Sequence, residues 1–146
     1  MIYVLIALSI FLIDQYSKNH FDKNIKIGEY KSVYKDKLFF TNIKNKGALL
    51  GFLKNNRVTL LISSFVATVV VGVLFVTTLL GENKFLKLGI TFLTGGCVGN
   101  VYDRFKKGEV TDFICIKSKK LPIFNIADVF IFLGAIISII TYLKED

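Results

Sequence analysis

Four apolar segments alternate with polar ones along this chain. Residues 58–80 (VTLLISSFVATVVVGVLFVTTLL) run for 23 residues without a charge. A bilayer core takes about 20 apolar residues of helix, and an uncharged run of about 18 or more is the usual sign of a span. Residues 123–143 are 21 long with one charge, Asp128, and residues 85–101 are 17 long with Lys87 near their start. Residues 2–13 form an apolar run of 12, stopped by Asp14. That is short for a span, so the helix is expected to run on to about residue 18. No basic leader precedes it and no small-x-small cleavage pattern follows, so it is expected to be a retained first helix. The pattern predicts a membrane α-helical fold with four transmembrane helices, at about 2–18, 58–80, 85–102 and 123–143, and with both ends on one side.

The polar stretch between the first two helices carries a second period. Gly28–Tyr34 and Lys37–Ile43 alternate partly, and Lys35-Asp36 sits between them as a turn. They predict a small extramembrane β-sheet at about 28–43, between helices one and two, lying against the bilayer surface. Asn45–Phe52 reads as a turn followed by an apolar stretch. Helix three ends in small residues, Thr94-Gly95-Gly96-Cys97-Val98-Gly99-Asn100, which let helices approach closely in a membrane. Residues 102–122 read as a polar loop, and Pro122 stands just before helix four, where its missing N–H costs nothing.

Charge changes the picture. The chain has 146 residues, 53% apolar, yet 19 Lys and Arg against 11 Asp and Glu give it a net charge of +8. Such a charge on a soluble domain would suggest nucleic acid. Here ten cations fall in 14–57 and six in 102–122, leaving Lys84, Lys87 and Lys144 for the other side. No basic stripe lies on a soluble foldable unit, so no nucleic-acid partner is expected and a membrane surface is. The positive-inside rule by itself would place both long loops in the cytoplasm.

Ionisable residues in or beside spans are functional candidates. Asp14, Asp103, Asp112 and Asp128 qualify. Each has a plainer reading. Asp128 can be a structural partner inside the bundle, Asp112 an ordinary loop aspartate, Asp103-Arg104 an ion pair or cap, and Asp14-Gln15-Tyr16-Ser17-Lys18 a polar helix end. Other chemistries fall away. The one histidine, His20, allows neither a His-based triad nor a HExxH site. Cys97 and Cys115 lie 18 apart without a CxxC or a His cluster, so no metal and no cofactor is expected. Ser63-Ser64 has no visible base. A carboxylate pair remains: two close carboxyls share a proton, one acting as base on water while the other polarises a carbonyl. The sequence permits Asp112 and Asp128 to meet, because the chain between them can run out through Lys117–Lys120 and return at Pro122 as a hairpin.

Five stretches occur in order: Asp14-Gln15-Tyr16-Ser17-Lys18, Asn45-Lys46-Gly47-Ala48, Gly95-Gly96-x-x-Gly99-Asn100-x-x-Asp103-Arg104, Gly108-x-Val110-x-Asp112-Phe113 and Phe124-Asn125-Ile126-Ala127-Asp128. Together they resemble the lipoprotein signal peptidase (signal peptidase II) family over nearly the whole chain. The resemblance implies a single membrane-embedded aspartic endopeptidase domain over 1–146, in the bacterial cytoplasmic membrane, with its site on the extracytoplasmic side. It implies cleavage of prolipoproteins just before a diacylglyceryl-modified cysteine, with the extramembrane sheet cradling the substrate, and inhibition by globomycin. By motif, Asp112 and Asp128 are the catalytic pair. Asn45, Gly47, Asn100, Arg104 and Asn125 line the site, and Asp14, Lys18 and Asp103 are structural polar residues. A monomer in contact with membrane lipid is expected. Two other readings stay open: an inactive paralogue that binds lipoproteins, and a small four-helix transporter with Asp128 as a proton or cation site.

Overall fold

A computed structural model describes residues 1–47, 56–117 and 121–144. Seven elements follow in order: α1 (Ile2–Asn24), β1 (Tyr30–Tyr34), β2 (Leu38–Asn45), α2 (Arg57–Leu80), α3 (Lys84–Lys107), β3 (Val110–Ile116) and α4 (Ile126–Leu143). The apolar stretch expected at 48–52 lies outside the described residues.

Helix α3 is the hub and packs against α1, α2 and α4. Its small residues explain how. A Cβ at Gly95 would stand 2.9 Å from the Ala7 carbonyl oxygen of α1, and one at Gly96 would stand 2.5 Å from the Ala127 carbonyl oxygen of α4. Both distances are below contact, so only glycine allows these backbones to come so near. Gly89 of α3 and Gly134 of α4 do the same for each other further along.

Burial is inverted relative to a soluble bundle. Asp14, Lys18, Thr91, Asn100 and Asp103 are buried between the helices, while Phe65, Val69, Val73 and Val76 of α2 are exposed. Helices α2 and α4 are long and apolar enough to cross a membrane. An exposed apolar belt around a polar interior suits lipid as the outer solvent.

The sheet has three antiparallel strands in the order β1-β2-β3. It therefore does not belong only to the segment between helices one and two. The third strand comes from the stretch expected to be a loop after helix three, and it carries Asp112. The sequence there, Val110-Thr111-Asp112-Phe113-Ile114-Cys115-Ile116, is rich in β-branched and aromatic residues, the composition that strands favour. Lys35 and Asp36 both take positive φ, 42° and 50°, as the tight turn of the β1–β2 hairpin demands. A register shift between Phe40 and Ile43 puts one extra residue on β2, which pairs over two steps of β3, from Ile114 to Asp112. Phe21 of α1 stacks on Phe113 at 4.2 Å and leans on Phe40 at 4.7 Å, docking the sheet on the end of α1.

Three helix bounds differ from expectation. α1 runs to Asn24, so Asp14 and Lys18 are mid-helix and fully buried rather than a polar helix end. α3 runs past Asp103-Arg104 to Lys107 and stops at Gly108, whose φ of 75° needs a glycine. α4 starts at Ile126, because Phe124 is taken up by an antiparallel bridge to Ile114 of β3.

Candidate active site

The bridge at Phe124 builds the site. Phe124 N donates to the Ile114 carbonyl at 3.1 Å, and Ile114 N donates back to Phe124 O at 2.8 Å. The next residue, Asn125, is thereby set beside Asp112 on β3. Asn125 also caps α4: its Oδ1 accepts from Asp128 N at 3.0 Å, while Asp128 Oδ2 accepts from Asn125 N at 3.2 Å. This is a reciprocal capping box, and it fixes Asp128 in the first turn of α4. The free end of the same side chain, Asn125 Nδ2, donates to Asp112 Oδ1 at 2.7 Å. One asparagine thus ties both aspartates together.

Each remaining carboxylate oxygen has its own donor. Asn45 Nδ2, at the end of β2, reaches Asp112 Oδ2 at 2.9 Å, and Asn100 Nδ2, on α3, reaches Asp128 Oδ1 at 2.8 Å. Asn45 Oδ1 accepts from Gly47 N at 3.0 Å, a local turn that aims the amide at Asp112. The Gly47 carbonyl accepts from Arg104 Nη2 at 3.4 Å. Arg104 and Asp103 are not a pair. Neighbours on a helix point about 100° apart, and Asp103 turns the other way, to Lys18 at 3.1 Å and Lys107 at 3.5 Å.

Asp112 is 3% exposed. Burial pushes its carboxyl up to about 6, and the nearby Asp128 charge pushes the same way, against the Asn45 and Asn125 amides that favour the ionised form. A carboxyl with that affinity shifts between acid and base close to neutral pH.

Behind the pair lies a buried charged cluster. Lys18 Nζ stands 2.8 Å from Asp14 Oδ2 and 2.9 Å from Asn100 Oδ1. Asp14 Oδ1 accepts from Ala127 N at 2.9 Å, serving a free N–H of α4 from across the bundle. Sequence reasoning passed over a lateral support. Lys44 of β2 donates to Thr111 Oγ1 of β3 at 2.8 Å and pairs with Asp22 of α1, while Asn42 donates to Asp22 at 3.2 Å and to the Ile25 carbonyl at 2.9 Å. The strand alternation around Asn42 and Lys44 is broken by the register shift, so no local signal marks them.

A groove of about 460 Å³ opens beside the pair, lined by Ser63, Ser64 and Thr68 of α2, Cys97, Asn100 and Arg104 of α3, and Ile131 of α4. Of the return between β3 and α4, residues 118–120 lie outside the described part; its end at Phe124 is as given above. All ten residues singled out from the sequence, Asp14, Lys18, Asn45, Gly47, Asn100, Asp103, Arg104, Asp112, Asn125 and Asp128, fall into this one connected network.

Known proteins resemble the chain over most of its length. The lipoprotein signal peptidase of Clostridium tetani (strain Massachusetts / E88) is 37% identical over 147 residues, covering 98% of this chain and 92% of that protein. The lipoprotein signal peptidase of Brevibacillus brevis (strain 47 / JCM 6285 / NBRC 100599) is 35% identical over 133 residues, covering 90% of this chain and 88% of that protein. Two solved bacterial membrane enzymes, determined by the in meso method at 2.3 and 1.9 Å resolution, superpose with TM-scores of 0.87 and 0.84, each at 32% identity. The first match covers 98% of this chain and 88% of that one, the second 99% and 94%. The family described as Signal peptidase (SPase) II matches residues 6–144, and with that span added to these relatives the chain belongs to the signal peptidase II family.

Proposed function

We propose that this chain removes the signal peptide from prolipoproteins in the bacterial cytoplasmic membrane, with Asp112 and Asp128 as its catalytic pair. It crosses the bilayer four times, through α1 to α4, and the sheet lies on the extracytoplasmic side with the site at its edge. The observation that carries the reading is the shared asparagine: Asn125 holds Asp112 with its side chain and Asp128 with its backbone N–H. Two carboxyls so placed share a proton. Asp128, ionised, takes a proton from water as the water oxygen bonds to the scissile carbonyl carbon. Asp112, protonated, gives its proton to the carbonyl oxygen. Collapse of that tetrahedral species breaks the C–N bond, and the leaving amine takes a proton from the pair. Each carboxylate oxygen keeps a second lone-pair direction for water or substrate beyond its asparagine donor.

A signal peptide is an apolar segment whose cut point lies at the membrane surface. The groove along α2 and α3 suits it, with Leu60, Ala67, Val101 and Ile131 as apolar lining beside Asn100 and Arg104. The cut falls before a diacylglyceryl-modified cysteine, whose acyl chains stay in the lipid. Globomycin-like peptides compete for the same groove, and one chain suffices for activity.

The test is cleavage of a diacylglyceryl-modified prolipoprotein by the purified chain, with and without globomycin. Product is expected from wild type and from neither Asp112→Asn nor Asp128→Asn, both still inserted and folded. Turnover by either variant at the wild-type rate would overturn the pair. A non-cleaving paralogue would give no product from wild type, and a transporter would need Asp128 alone.

A further inference from the structure

Lys18 is completely buried in the second half of α1, and hydrolysis by two carboxyls has no step for an amine there. Its ammonium touches Asp14 Oδ2 at 2.8 Å, Asp103 Oδ2 at 3.1 Å and Asn100 Oδ1 at 2.9 Å. The two carboxylates already balance its charge, with Lys107 sharing Asp103. The third contact has a different consequence. The two ends of an asparagine amide have nearly the same shape, so packing alone does not decide which faces which way. An ammonium can only donate. It therefore holds the oxygen end of Asn100, and Nδ2 is left to face Asp128 Oδ1, 2.8 Å away. Asn125 Nδ2, 3.4 Å from Asn100 Oδ1, favours the same orientation. With the amide turned over, two acceptors would meet at Asp128, and only a protonated carboxyl could make that contact.

We propose that Lys18 is a positioning residue for proteolysis: by fixing the orientation of Asn100, it keeps a donor on Asp128 and so holds Asp128 as the ionised partner that takes the proton from water. The proposal rests on the reading of Asp128 as half of the catalytic pair. It assigns Lys18 a role that neutralising Asp14 and Asp103 alone would not require. The charged groups around the path are Asp14 from α1, Asp103, Lys107 and Arg104 from α3, Asp112 from β3 and Asp128 from α4.

Removing Lys18 alone would strand buried carboxylates and threaten folding. The test therefore uses Lys18→Met with Asp14→Asn, which balances the charge and keeps an acceptor for Ala127 N. Relative to Asp14→Asn, the double variant is expected to keep its melting temperature and KM and to lose about tenfold or more in kcat. In an Asn100→Ala background that also carries Asp14→Asn, the Lys18→Met step should leave kcat unchanged within about twofold, since the group it acts through is gone. An additive loss in that background, or a kcat equal to that of Asp14→Asn, would overturn the proposal. If the double variant does not fold, the side-chain amide signals of Asn100 in wild type, assigned by their loss in Asn100→Ala, take over. They should shift in Asp128→Asn, and signals that ignore that change would overturn the proposal. Failure of the catalytic pair itself is distinguishable, because it appears as turnover by Asp128→Asn.

Discussion

Asn125 performs two tasks with two ends of one side chain, and substitution can separate them. Serine keeps an oxygen that accepts from Asp128 N and is about as good a helix cap as asparagine. It does not carry the amide that reaches Asp112 Oδ1 at 2.7 Å. Asn125→Ser therefore keeps the cap and cuts the tie between the aspartates. Asp112 Oδ1 loses its donor in a buried site, at a cost of about 1–3 kcal/mol in stability. A hydrogen bond to a neutral, protonated carboxyl is worth about 0.5–1.5 kcal/mol, so kcat should fall by about twofold to tenfold. Asn125→Ala removes both ends and should lose a further 0.5–2 kcal/mol or so from the missing cap. The assay is prolipoprotein cleavage alongside thermal unfolding in the same detergent. The expected order of stability is wild type, Ser, Ala, with Ser and Ala both slow. Wild-type kcat in Asn125→Ser, or equal melting points for Ser and Ala, would refute the division of labour.

Other consequences are as specific. In Gly99→Ala the new Cβ would stand 2.6 Å from Asp14 Oδ2, which is already held by Lys18, so the buried ion pair must give way. Overpacking of this kind costs about 1–3 kcal/mol, read as a lower melting temperature than for a Gly→Ala where a Cβ meets open space, such as Gly72→Ala. Because the Asp112 carboxyl is pushed up to about 6, its proton is held through mildly acidic pH and lost above that value. The rate should fall on that alkaline side, and a profile still rising at about pH 8 would contradict Asp112 as the proton donor. The same sign applies to stability. The folded state binds this proton more tightly than the unfolded chain, whose carboxyl sits near 3.8, so Asp112's contribution declines as pH rises between the two values. Titrating the melting temperature of wild type against Asp112→Asn checks it. Finally, a cysteine at exposed Lys35, in the β1–β2 turn, should react with an impermeant reagent from the extracytoplasmic side; labelling only from the cytoplasm would reverse the orientation.

Much of this protein is written locally. The uncharged run from 58 to 80 needs no partner to declare itself, because bilayer thickness sets its length. The hairpin turn at Lys35-Asp36 is set by the short spacing between two alternating runs. Asn125-x-x-Asp128 is a capping box, legible as such, although the apolar count from 123 hid where α4 begins. Other features depend on distant chain. Asp112 reads as a loop residue until β2 pairs with its strand, because a strand on a three-stranded sheet needs neighbours that local sequence does not show. Asp14 and Lys18 look like a helix end until α1 continues past them and α3 and α4 close over them. Asp103 and Arg104 are adjacent in sequence, yet helix geometry sends one to Lys18 and the other to Gly47. The sequence by itself determined the apolar belt and the kinds of residue available for chemistry, since both follow from composition and period. Only the tertiary structure decided that a bridge at Phe124 sets Asn125 between two aspartates. That contact spans β3 and α4, and its hydrogen bonds exist only once both are in place.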